Sequence, residues 1–136
     1  MNSPEQKDIE AIKHLTVQWL SAEKAKDIHR LLTMVTDDIV FLPPNAQPIK
    51  GKSAVEALYR SVFAQFAIEH AAATDEVKIA GDWAFSWGRE VLNLTPLAGG
   101  REVQLKGHGM SILRRQTDGS WNFARGINNL VPAGAP

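Results

Sequence analysis

Cysteine is absent from the sequence. That absence removes disulfide frames, thiolate nucleophiles and cysteine-based metal sites together, and it fits a reducing compartment. An excess of charge is missing too: fifteen basic residues are balanced by fifteen acidic ones, so no net field draws the chain to nucleic acid or an acidic membrane surface. No apolar run is long enough to cross a bilayer, and the opening MNSPEQKDIE lacks the basic and apolar regions of a secretion signal. A cytoplasmic protein with no membrane or nucleic-acid partner is therefore expected. His14, His29, His70 and His108 fall on separate elements without metal-binding spacing, there is no P-loop, and Gly107-His108-Gly109 lacks the glycine pattern of a dinucleotide turn. Neither a metal nor another cofactor is expected. Repeats and low-complexity segments are absent as well, and 136 residues suit one domain over 1–131 with a fraying tail at 132–136.

What is present divides into helices first and strands later. Ser3, Pro4 and Gln6 form a helix start, and Ile9, Ile12, Leu15, Trp19 and Leu20 then recur at helical spacing. Asp27 can cap a short second helix carrying Ile28, Leu31, Leu32 and Val35, which Thr36, Asp37 and Asp38 end; Ile39 to Leu42 follows as a short strand. Ser53 with Glu56 reads as a capping box for a third helix with Val55, Leu58, Tyr59, Val62, Phe63 and Phe66 on one side. From Ile68 the period changes to two, giving strands over 68–80, 82–95, 101–116 and 120–131. Trp83, Phe85 and Trp87 share one strand face, as do Trp121, Phe123, Arg125, Ile127 and Asn129 on the last strand, and the loosened alternation at Gly107 and Gly109 suggests a bulge or a bend that curves the sheet. Helices segregated from an antiparallel sheet make an α+β fold of order α, α, β, α and four β.

Several phrases add a resemblance: Ala25 to Asp27, Asp37-Asp38-Ile39-Val40-Phe41, Pro44 then Gly51, Gly107 to Arg115, and Gly119-Ser120-Trp121. In this order they resemble the cone-shaped superfamily of ketosteroid isomerase, nuclear transport factor two and the SnoaL-like polyketide cyclases. The resemblance implies N-terminal helices packed in a strongly curved, cystatin-like antiparallel roll. It also implies an apolar pocket between helix one and the sheet, and a homodimer through the outer sheet face. Aligned with ketosteroid isomerase, the sequence puts Pro43 at the position of the catalytic base and Trp19 at that of the tyrosine, with no carboxylate between Glu102 and Thr117. Steroid isomerisation by that three-residue mechanism is therefore not expected.

Two functions from different classes follow. The first is binding of an apolar small molecule, with isomerase, cyclase or hydratase-type proton transfer as its chemistry if the protein is an enzyme. Here His108 is the candidate acid or base, because imidazole titrates near neutrality, with an outward-facing or core histidine as the bland reading. Trp19, Phe41, Pro43, Phe63, Trp87, Met110, Arg125, Asn128 and Asn129 are the candidate pocket residues. Arg125 with Asn129 could orient a carbonyl or carboxylate, or Arg125 could simply pair with Glu90 or Asp38; the tryptophans could wall a pocket or fill the core. The second function is a non-catalytic homo-oligomerisation module. A cavity of a few hundred cubic ångströms with convergent polar groups favours the first, and a cavity collapsed by Trp19, Phe41 and Met110 the second.

Overall fold

The structure, a computed structural model, describes residues 3–134. It contains α1 (Pro4–Lys24), α2 (Ile28–Thr33), β1 (Val35–Leu42), β2 (Ile49–Lys50), α3 (Lys52–Gln65), β3 (Phe66–Ala80), β4 (Trp83–Pro96), β5 (Val103–Arg115), β6 (Trp121–Asn128) and β7 (Val131–Pro132). The α+β class is that read from the sequence, and so is the element order apart from two additional short strands, β2 and β7; the strands form one curved sheet in the order β2-β1-β6-β5-β4-β3, with β7 pairing β5. One pairing departs from the antiparallel pattern: β1 runs parallel to β6.

The helix starts follow from local hydrogen bonding. Ser3 accepts a hydrogen bond from the Gln6 amide through its side chain, and Asp27 does the same for Arg30, so each cap satisfies a backbone donor that the first turn leaves free. The capping box expected at Ser53 and Glu56 does not form. The third helix is capped by Gly51 at φ +85°, where a side chain would strain the backbone, and Glu56 instead holds Arg60 one turn on. β1 also begins earlier than expected: Val35, which the helical period assigned to α2, is fully buried in the strand because Met34 already leaves the helix and its carbonyl accepts from Phe123 N.

Three further differences reshape the sheet. Gly107 and Gly109 make no bulge, since β4 and β5 stay in register throughout. Their missing side chains leave room instead for Asn129 over Gly107 and the Glu90 carboxylate over Gly109. Between antiparallel strands the irregularities lie between Thr74 and Glu76, and where Leu113 and Ile112 face Phe123 and Arg125, while the parallel β1–β6 pairing also shifts between Val35 and Val40. At the second, Ala124 is an extra residue, so Trp121 and Phe123 point into the core while Arg125 and Ile127 turn outward. The last strand breaks after Asn128, and of the expected tail Pro132 pairs with Leu105 in β7, while residues 135–136 lie outside those described.

The core fills the concave side of the sheet. Ile12 and Leu15 from α1, Leu31 from α2, Val55 and Phe63 from α3, and Leu113, Trp121 and Phe123 from the sheet form one contiguous buried cluster. At the N-terminal end of α1, Arg115 makes two bonds to Asp8 at 2.9 and 2.8 Å and stacks 4.4 Å over the Trp121 ring, which itself donates to Asp8. This fastens α1 to the strand ends and leaves its C-terminal half to meet the middle of the sheet. The convex side stays open, with Trp83, Met110, Ile112 and Ile127 at 45, 43, 40 and 50% exposure.

Candidate active site

The apolar stripe of α1 ends in a carboxylate. Ile12, Leu15 and Trp19 are spaced by three and four residues, and four further on lies Glu23, which is buried at 4% exposure. A buried carboxylate needs partners, and the sheet provides them. On β3, His70 sits opposite Leu92 of β4, which makes Glu90 its diagonal neighbour on the same concave face. His70 Nδ1 lies 2.7 Å from Glu23 Oε1 and its Nε2 lies 2.8 Å from Glu90 Oε1. The Tyr59 hydroxyl, from α3, donates to the second Glu23 oxygen at 2.8 Å, and the Trp19 indole in turn hydrogen-bonds Tyr59.

These contacts fix the charge state. Burial alone would lower the His70 pKa, but the hydrogen bonds and charges of Glu23 and Glu90 outweigh it and raise the value to about 9. The same answer comes from counting: each short N–O contact needs a proton, so the three groups share two protons and carry a net charge of minus one wherever those protons sit. Desolvation, and then the charge and hydrogen bond of Glu23, push the Tyr59 hydroxyl well above its ordinary range, so it stays a donor.

This relay forms one wall of a cavity of about 240 Å³ between α1, α3, β1 and the sheet. The remaining walls are mainly apolar, with Trp19, Leu20, Phe41, Ile49, Leu58 and Phe123 prominent, and the Ser86 and Ser111 hydroxyls facing each other across β4 and β5. Trp19 is the hub of the aromatic wall, edge-on to Phe41, Tyr59 and Phe123 with centroids 6.0, 6.0 and 5.5 Å away. It both lines the cavity and packs the core. Such a setting, a proton donor and acceptors in low dielectric beside an apolar space, can take a proton from a bound carbon or heteroatom or return one to it. Among the described residues, no group of three or more His, Asp or Glu is arranged to hold a metal ion.

The residues singled out from sequence divide by location. Trp19, Phe41 and Pro43 line the cavity, Trp87, Met110 and Asn128 border both it and a shallower groove on the convex face, and Asn129 lines that groove alone. Phe63 is a core residue against Tyr59. His108 is exposed in the outer groove, 6.5 Å from the Trp87 ring, because its strand parity opposes that of Gly107 and Gly109; its backbone N–H donates to Asn129 Oδ1. Arg125 is exposed and donates to the carbonyl of Asp38, with the Asp38 carboxylate 3.7 Å away, so it takes the pairing role and leaves the cavity alone. Asp38 accepts from Thr36 and Asp37 faces Lys52, which makes both aspartates structural. Glu23, Tyr59, His70 and Glu90 were not singled out. Their signal was present: a carboxylate on an apolar helix stripe, and polar side chains at the inward parity of strands whose neighbours Ile68, Ala84 and Ser86 are buried.

Comparison with known proteins agrees with this architecture. A conserved protein from Planctomyces limnophilus DSM 3776 is 35% identical over 93% of this chain and 98% of its own, with a TM-score of 0.89. A ketosteroid isomerase-like protein from Erwinia carotovora atroseptica SCRI1043 is 26% identical, covering 96% of this chain and 98% of its own at a TM-score of 0.82. The hexachlorocyclohexane dehydrochlorinase LinA-type3 from Novosphingobium barchaimii LL02 shares the fold at 18% identity and a TM-score of 0.78, covering 95% of this chain and 92% of its own. No curated protein matches. Residues 16–123 match the family model of the SnoaL-like domain, a span that runs from the cavity wall of α1 to Phe123 of β6, and the chain belongs to that family.

Proposed function

We propose that the protein binds a small, largely apolar organic molecule in the cavity between α1 and the sheet and moves a proton on it. The relay Glu23–His70–Glu90, ending at the cavity, is the observation that carries this reading. A structural ion pair alone would be as well served by one carboxylate; two carboxylates on one imidazole, backed by Tyr59, form a path along which a proton can be relocated over two short bonds. Glu90 is the more open carboxylate, at 20% side-chain exposure against 5% for Glu23. It is the proton acceptor in this scheme, with the His70 imidazolium keeping it ionised. A proton taken from carbon leaves an electron pair that forms a double bond as an adjacent group departs, or that returns to a different carbon. The first is an elimination, the type of reaction named in the dehydrochlorinase that shares the fold; the second is an isomerisation. The cavity volume and its polar end weigh against the non-catalytic module, in keeping with the criterion set by the sequence.

The exposed apolar residues of the convex face support a homodimer through that face, and the absence of cysteine fits the cytoplasm. The test of the catalytic reading is deuterium uptake from D₂O into a panel of small ketones and hydroxyketones, followed by proton NMR. Wild-type protein should accelerate loss of the α-proton signal, and His70→Gln and Glu90→Gln should bring it to background. Exchange that persists in both variants would remove the relay from the mechanism.

A further inference from the structure

The relay also restricts what the cavity can hold, a step that rests on the cavity being a ligand site. The donors of the relay and of the side chains that support it are committed. Both His70 ring N–H groups go to carboxylates, the Tyr59 hydroxyl to Glu23, the Trp19 indole to Tyr59, and the Thr16 hydroxyl to the Ile12 carbonyl at 3.4 Å. The other basic residue among those bordering the cavity, Arg89, is turned to the convex face and held there by Asp75 through two bonds of 3.1 Å. What remains free is an acceptor. Glu90 Oε2 lies over Gly109 on the cavity floor and takes no hydrogen bond from any described residue, while Oε1 is bound to His70. The uncommitted donors, on Thr74, Ser86, Ser111 and Asn128, are neutral.

An anion entering this space would meet a wall of net charge minus one, with no free cation to pair with and few partners to replace its lost hydration. A molecule with an N–H or O–H donor would meet the carboxylate oxygen that lacks a partner, and an ammonium group would also neutralise the wall. We infer that the cavity selects ring-sized apolar molecules bearing a hydrogen-bond donor, organic ammonium ions foremost, that it rejects carboxylates of the same shape, and that Glu90 is the residue that discriminates. Gly109 is part of the same device, because a Cβ at that position would fall on the Glu90 carboxylate.

Three probes of one shape test this: benzylammonium, benzyl alcohol and benzoate, titrated into the wild-type protein at low salt and neutral pH by isothermal calorimetry. Benzylammonium should bind tightest, with benzoate weaker by about tenfold or more. In Glu90→Gln the ratio should fall to within about threefold, with benzyl alcohol little changed. The wild-type order alone decides the inference, so a poorly folded variant would not shield it. Benzoate binding as tightly as benzylammonium overturns the selectivity and leaves the cavity as a ligand site. Failure of all three to bind at about ten millimolar overturns both.

Discussion

Alkaline pH should withdraw stability from this protein through one histidine. In the folded state His70 holds its proton up to a pH of about 9, against 6.5 for an ordinary imidazole. The folded form therefore binds that proton more tightly than the unfolded chain does, and the contribution to stability is complete below the ordinary value and disappears as pH rises through the folded one. A difference of about two and a half pH units, at about 1.4 kcal/mol each, amounts to about 3–4 kcal/mol. The group is well enough buried, at 13% side-chain exposure, for solvent to screen little of this. Urea midpoints taken in steps from about pH 6 to about pH 9.5 should fall steadily, with a limiting slope of about 1.4 kcal/mol per unit and an unchanged m-value. No thiol titrates in that window, because the chain has no cysteine. In His70→Gln this component should be lost. A flat profile in the wild type, or an equal slope in the variant, would refute the charge state assigned to the relay.

Other perturbations reach different parts of the structure. Gly109→Ala should displace the Glu90 carboxylate, costing about 1–3 kcal/mol in urea denaturation and moving the His70 titration seen by NMR toward its ordinary value. Arg115→Ala should cost about 2–3 kcal/mol by removing both Asp8 bonds and the stacking on Trp121, with Arg115→Lys recovering only part of the loss in the same assay. Leu113→Ala, at a fully buried position under the sheet, should lower stability by about 2–5 kcal/mol by calorimetry. Ile127→Glu combined with Met110→Glu on the convex face should yield a monomer by analytical ultracentrifugation without loss of melting temperature, if that face joins two copies.

The sequence made the fold legible because periodicity and turn chemistry are local. The stripe from Ile9 to Leu20, the caps at Ser3 and Asp27, and the glycines at 81 and 119, both at positive φ, each report on a few neighbours, and all agree with the structure. The site was less legible because it is assembled across the fold. Glu23 and His70 are 47 residues apart, Tyr59 and Glu23 are 36 apart, and His70 and Glu90 meet only because a particular hairpin register makes them diagonal. His108 drew attention through its glycine neighbours, yet those glycines mark places where other side chains approach the strand, and their parity sends the imidazole outward. The change of face in the last strand was hidden for a similar reason: the sequence around Ala124 alternates normally, and only the pairing with β5 shows the extra residue.

The parallel pairing of β1 with β6 bears on how the protein is made. Val35 to Leu42 pair with the short β2 on one side, while the other side waits for Phe123 to Ile127, more than eighty residues later. The hairpins β3–β4 and β4–β5, by contrast, join strands that are neighbours in the chain and close over short turns. A chain emerging from the ribosome can therefore build those hairpins early, while this edge of β1 remains unpaired until residues 123–127 have emerged. Because Phe123 and Gly126 of β6 wall the cavity, that space comes into being with this long-range closure. A nascent chain stalled short of residue 123 would present the relay residues without an enclosed chamber.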